Sequence, residues 1–156
     1  MTGVCVRAGV AGDLVELVAL ERAMAEVPHW VETEYAAVIA GGGGYVRRCL
    51  FVAEADGAVI GFAVGKVAGD FAELESVAVD LKTRRGGIGR TLCEAVIAWC
   101  REAGAAAVEL EVRAASGGAI GLYQGLGFIS VGRRPLYYSG PVDDAVLMRL
   151  NLMDGG

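Results

Sequence analysis

Ten residues, TRRGGIGRTL at positions 83–92, bring three arginines and three glycines together. LESVAVD before them reads as a strand, and LCEAVIAWCREAG after them reads as a helix. The first peptide N–H groups of a helix have no partner in the helix and carry partial positive charge. Gly86, Gly87 and Gly89 let that backbone come close to a ligand. Arg84, Arg85 and Arg90 add fixed charge and forked donors. This combination suits a phosphate or pyrophosphate. A plain tight turn with solvated arginines is the competing reading.

Two phosphate motifs are tested against the turn. The P-loop is excluded, because no Gly-Lys-Ser/Thr follows. Gly87-x-Gly89-x-x-Leu92 approaches the dinucleotide fingerprint but lacks its third glycine. Glu109 and Glu111 stand about 20 residues on, where a ribose-binding acid would sit. Against this reading, the turn lies mid-chain after a hairpin, not at the head of a parallel run.

Other residues with chemical potential are few. In AVELEVR, period-two alternation puts Glu109, Glu111 and Arg113 on one strand face and Val108, Leu110 and Val112 on the other. Glu73 and Glu75 sit on a neighbouring predicted strand. Cys5, Cys49, Cys93 and Cys100 fit no metal spacing. Cys93 and Cys100 are two helical turns apart and are expected in the core. His29, the only histidine, supports neither a metal site nor a catalytic triad and reads as a loop residue.

The elements that must carry these residues follow from periodicity and turn chemistry. A strand is predicted over 4–9, helices over 11–26 and 27–40, and a flexible glycine connection over 41–45. Asp56-Gly57 marks a hairpin between two strands within 49–69. A strand follows over 71–80, then the basic turn, a helix to 103, a strand over 106–114 and a short helix closed by Gly127. Strands beginning at Phe128 and spanning 143–152 finish the chain. The hairpin makes the middle strands antiparallel. The strand–helix–strand unit over 71–113 implies one parallel pair. The expected class is therefore α/β (α+β): a mixed, mostly antiparallel sheet with one parallel pair and helices on both faces. Trp99 and Phe128 are expected in the core.

Length and composition set the outer limits. With 156 residues and 54% apolar content, one domain spanning 1–156 with a short flexible tail is expected. No apolar run reaches the roughly 18 residues of a membrane span. The start shows no charged segment leading into an apolar one. The expected location is the cytoplasm, with no membrane partner. The net charge of −5 argues against nucleic acid and is compatible with a basic peptide.

RRGGIG resembles the Arg/Gln-x-x-Gly-x-Gly/Ala turn of the GNAT family of N-acetyltransferases. ELEVRAASGGAIGLYQGLGF, RRPLYY and DDAVLMRL, in order, are similar to its ribosomal-protein-alanine N-acetyltransferase branch. VPHW at 27–30 resembles that branch's proline–tryptophan substrate loop. The resemblance covers about residues 70–152 strongly and the rest weakly. It implies a GNAT fold and acetyl transfer from acetyl-CoA, as co-substrate, to an amine. The amine implied is the α-amine of a protein N-terminus, with a basic ribosomal protein as partner.

By position, the resemblance places Arg84, Arg85, Gly86, Gly87, Ile88, Gly89 and Arg90 around the pyrophosphate. It sets the backbone of Val77 and Val79 along the pantetheine arm. It makes Glu111 the general base and Tyr123 the general acid, the latter also touching the cofactor. Trp30, Tyr137 and Tyr138 would bind the acceptor. No metal is implied. One departure stands out: Ser116, followed by Gly117 and Gly118, replaces the family's cofactor-contacting Asn, which implies a weaker contact.

The chemistry is consistent with these residue types. At neutral pH an α-amine, titrating near about 8, is far more often neutral than a lysine near about 10.4. A carboxylate or a relayed water then suffices as base. Glu73 and Glu75 are rival bases. Tyr123 reads either as general acid or as a packed aromatic, and Trp30 as core or substrate loop. Tyr137 and Tyr138 alternate faces, so one is expected in the core and one against substrate. Lacking a Ser–His pair or an activated cysteine, the expected route is direct attack in a ternary complex. A GNAT acting on a small amine and a non-catalytic acetyl-CoA-binding module remain as alternatives.

Overall fold

The computed structural model describes residues 3–23, 32–40, 42–80 and 87–153. Strand β1 (Cys5–Ala8) leads through a 3-10 turn (Ala11–Asp13) into α1 (Leu14–Arg22), and α2 (Glu32–Ile39) follows. Then come β2 (Gly42–Gly43), β3 (Val46–Ala55), β4 (Ala58–Ala68) and β5 (Phe71–Val79). The second half runs α3 (Ile88–Glu102), β6 (Ala107–Arg113), α4 (Gly117–Gly125), β7 (Ile129–Tyr138) and β8 (Asp143–Asn151).

The sheet order is β1-β3-β4-β5-β6-β8-β7, with β2 paired to β3. Every pairing is antiparallel except β5 with β6. This is the expected mixed sheet. At the Asp56-Gly57 turn both residues adopt positive φ, 53° and 78°, as a two-residue hairpin requires. Two expectations need correction. The glycine run at 41–45 is not merely a connection: Gly42 and Gly43 pair with Arg47 and Val46 across a turn where Gly44 has φ 70°. The helix predicted from residue 11 opens as a 3-10 turn, because the Asp13 carboxylate accepts the Val10 N–H at 2.8 Å and two Arg7 donors at 2.9 Å. Residues 24–31 lie outside the described residues.

Each sheet face has its own core. On one, Ile88, Leu92, Cys93, Val96, Ile97 and Cys100 of α3 pack on Ala63, Val67, Val108, Leu110 and Val112. Their spacing is one helical face. Burying each large aliphatic side chain contributes about 1.5–3 kcal/mol, so Ile88, Leu92, Val96 and Ile97 hold α3, and hence its first turn, firmly on the sheet. On the other face Leu17 and Leu20 of α1 and Tyr35 and Val38 of α2 pack on Leu50, Val52, Phe62 and Val64. Gly65 allows the close approach of α3, since a Cβ there would lie 2.6 Å from Val96 Cγ1. Phe128, Cys93 and Cys100 are buried as expected, whereas Trp99, expected in the core, is only partly buried and packs at its margin.

Candidate active site

Two irregularities in β5 create the site. Pairing with β4 jumps from Val64–Ser76 to Gly65–Leu74, leaving Glu75 as an extra residue. Such a bulge changes which face the following side chains meet. Ala72 and Leu74 belong to the α3 core, whereas Ala78 belongs to the α1/α2 core and Val77 and Val79 now pack toward α3. The second irregularity is the ladder with β6, which pairs Phe71, Ala72 and Glu73 with Ala107, Val108 and Glu109 and then ends. Both strands continue, β5 to Val79 and β6 to Arg113. The Asp80 N–H bonds Ile60 O of β4 at 2.7 Å. Alternation then turns the peptide groups of Val77 and Val79 away from β4, toward the side where β6 has diverged.

The first turn of α3 lies past this end of β5. Gly87 caps it at φ 74°, a left-handed conformation that favours glycine. Its carbonyl accepts the Thr91 N–H at 3.0 Å and the Thr91 hydroxyl at 2.9 Å. The N–H groups of Ile88, Gly89 and Arg90 precede that first bond and so have no acceptor within the helix. Gly89 has Leu122 and Val79 as neighbours, with Leu122 Cδ2 3.4 Å from a Cβ placed there. Arg90 leans toward α4, with Nη1 3.5 Å from Gly125 O and Nε 3.6 Å from Glu94. Arg84, Arg85 and Gly86 lie outside the described residues, as do Trp30 and His29. Ser116 caps α4 without using its hydroxyl as a cap.

Glu111 occupies the β6 face opposite the α3 core, as its alternation with buried Leu110 and Val112 predicts. It lines a cleft of about 330 Å³ with Lys66, Phe71, Glu73, Glu109, Arg134 and Leu147 among its walls. Its side chain is 28% exposed, Oε1 lies 3.8 Å from Arg134, and Oε2 is buried without a hydrogen-bond partner. The other carboxylates are held more closely. Glu109 binds Arg149 at 2.6 Å and Glu75 binds Arg48 at 2.9 Å, while Glu73 lies 3.6 Å from Lys66. Of the rival bases, Glu73 therefore faces the cleft, and Glu75 is committed to Arg48.

Tyr123 of α4 packs on the α3 side of the sheet, edge-on to Phe128 at 5.9 Å. Burial raises its phenol well above the ordinary value, with Cys93 and Tyr138 adding to the effect. The group is thus protonated at neutral pH.

The two tyrosines of β7 depart from expectation. They do not divide between core and cleft: their rings meet edge to face at 5.0 Å. The ladder with β8 skips from Arg134–Ala145 to Tyr138–Asp143, and Leu136 between them has φ 52°. The extra residues break the alternation. Tyr137 is raised above its usual value chiefly by its polar interaction with Glu111, though within ordinary hydrogen-bond limits the two stay unbonded. Tyr138 is raised by burial first and Glu111 second. Arg134, 3.8 Å from Glu111 and over the Tyr137 ring, links this tyrosine pair to Glu111. Arg134 lies over the Tyr137 ring at 5.6 Å and Arg113 over the Tyr138 ring at 4.5 Å. Sequence reasoning gave Arg113 a face but no role and passed over Arg134, Lys66 and Asp144. The in-phase position of Arg113 after Glu111 was the available signal.

The chain is similar to known proteins in sequence and in fold. Residues 15–128 match the model of the acetyltransferase (GNAT) family. The chain is 39% identical over 97 residues to the [ribosomal protein bS18]-alanine N-acetyltransferase of Escherichia coli, covering 61% of this chain and 66% of that one. The match thus spans just under two thirds of that relative's length. It is 37% identical over 115 residues to the N-alpha-acetyltransferase of Sulfurisphaera tokodaii, covering 65% and 68%. The crystal structure of the corresponding Escherichia coli ribosomal-protein alanine N-acetyltransferase superposes with a TM-score of 0.82 at 31% identity, over 99% of this chain and 97% of that one. A family match across well over half the chain, carried by a sheet that parts beside a glycine-capped helix, makes this chain a member of the GNAT acetyltransferase family.

Proposed function

We propose that the chain, as a single domain over 1–156, transfers acetyl from acetyl-CoA to the α-amine of a protein N-terminus in the cytoplasm. The acceptor we infer is a basic ribosomal protein beginning with alanine. The observation that carries the reading is the parting of β5 from β6 beyond Glu73 and Glu109, between the α3 first turn and the Glu111 cleft. The names of the two relatives support the substrate class.

The described residues fit acetyl-CoA. The α3 first turn offers donors of the kind a pyrophosphate takes, and Gly87 keeps the approach open. Arg84, Arg85 and Arg90 would add charge there, and Ser116 a hydroxyl. The backbone of Val77 and Val79, on the stretch of β5 where β6 has diverged, would run along the amide-bearing arm. When bound, acetyl-CoA supplies an acetyl thioester. Glu111, whose partly exposed side chain lines the cleft, takes the proton of the attacking amine directly or through water. Tyr123 holds its proton at neutral pH and donates from its hydroxyl to the leaving sulfur. Tyr137, Tyr138 and Trp30 would flank the acceptor. Cys49, Cys93 and Cys100 have thiols pushed up to about 12 by burial, so each is a poor nucleophile. This supports direct attack over an acetyl-enzyme.

The test is acetyl transfer to a short basic peptide beginning with alanine. One acetyl group should arrive on the free peptide and none on the α-blocked one, as read by mass spectrometry. Transfer to polyamines but not to the peptide would overturn the substrate class. Binding of acetyl-CoA without transfer to either would overturn the activity.

A further inference from the structure

We propose that Arg113 is a positioning residue for the acceptor wall, setting Tyr137 and Tyr138 beside Glu111; the proposal rests on the acetyl-transfer reading. Strand β7 is exposed along almost its whole length, so burial does little to fix it. Its ladder to β8 breaks between Arg134 and Tyr138, where the two tyrosines must be placed. Polar contacts from other strands replace the missing ladder. On one side of the break, Asp144 of β8 accepts the Leu136 N–H at 2.9 Å and Arg133 Nε at 2.7 Å. On the other side, Arg113 Nη1 donates to Pro141 O at 2.8 Å and Nη2 to Ser139 O at 3.2 Å.

The same guanidinium lies 4.5 Å from the centre of the Tyr138 ring. It therefore holds both the turn after Tyr138 and the ring itself. Only a planar fork does both at once: a lysine ammonium keeps the charge over the ring but cannot span two carbonyls in the same way. Arg113 is two residues from Glu111 on the same face of β6. The strand bearing the proposed base thus also holds the segment that carries Tyr138. The contacts are exposed and individually modest, so they govern placement more than overall stability.

The test varies peptide and acetyl-CoA independently in the wild type, Arg113→Gln and Arg113→Lys, with amide exchange followed over residues 136–142. Arg113→Gln should raise the peptide KM about tenfold, roughly the loss of one good contact, and leave the acetyl-CoA KM essentially unchanged. Exchange over 136–142 should quicken. Arg113→Lys should recover part of the peptide KM, and it serves if the glutamine variant folds poorly. Adding Tyr138→Leu to Arg113→Gln should cost little more, because both act on one element. Transfer by the wild type with an unchanged peptide KM in Arg113→Gln would overturn the positioning role alone. An equal rise in both KM values would overturn it too. No transfer by the wild type to any peptide would overturn the acetyl-transfer reading, and this one with it.

Discussion

Tyr123 and the cysteines show how burial sorts reactive side chains. The Tyr123 phenol is raised above its ordinary value, so it holds a proton to give and does not act as a base. Tyr123→Phe keeps the ring against Phe128 and removes only the hydroxyl. We expect kcat to fall about a hundredfold, the lower range for a lost proton donor, with the melting temperature nearly unchanged. The three buried or part-buried thiols are pushed up to about 12, whereas Cys5 is exposed. A thiol reagent at mild alkaline pH should modify Cys5 alone in the folded protein and all four cysteines after denaturation. Rapid modification of Cys93 or Cys100 in the folded state would contradict their burial. The faces of both helical cysteines, and the separation of Glu111 from Leu110 and Val112, were legible from simple periodicity, whereas alternation left open which face of β6 meets the cleft. The place of Tyr137 was not legible. Alternation sends it to the opposite face from Tyr138, and only the break around Leu136 reverses that.

Single elements depend on contacts between residues distant in sequence. Arg7 of β1 binds Asp13 at the α1 entrance and Glu54 of β3. The Arg7 guanidinium holds the Asp13 carboxyl below the ordinary range. That stability is therefore present above the unfolded carboxylate value of about 3.9 and is lost as pH falls through the lower folded value. Asp13→Asn should lower stability by about 2 kcal/mol near pH 7, and the difference from wild type should shrink in strong acid, as followed by denaturant melts. Gly65 makes the complementary point in the core. Gly65→Val would drive a side chain into Val96 and should cost about 1–3 kcal/mol or more. The helices and the Asp56-Gly57 hairpin were legible because they rest on local pattern and turn chemistry. The bulge at Glu75 and the bidentate Arg7–Asp13 pair were not, since each depends on which strand lies alongside.

At the scale of the whole molecule, β5 and β6 part beyond Glu73 and Glu109, and β6 presents its two faces to different chemistry. Glu111 looks into the cleft, while Tyr123 packs on the α3 side. Sequence alone gave the one parallel pair, because a helix connects its strands. It did not give the register at which pairing stops. That depends on twist accumulated across the sheet, which no local spacing records. An arrangement holding donor and acceptor together predicts intersecting initial-rate lines when both are varied, with no acetylated enzyme after incubation with acetyl-CoA alone. Parallel lines would indicate a covalent intermediate. The central claim is that Glu111 and Tyr123 perform the transfer, and it is tested most directly by kcat/KM for one alanine-initiated basic peptide in three proteins side by side. Glu111→Gln and Tyr123→Phe should each fall about a hundredfold or more below wild type, with acetyl-CoA binding retained. Wild-type values in both variants would contradict the assignment and move the proton transfers to Glu73 or to water.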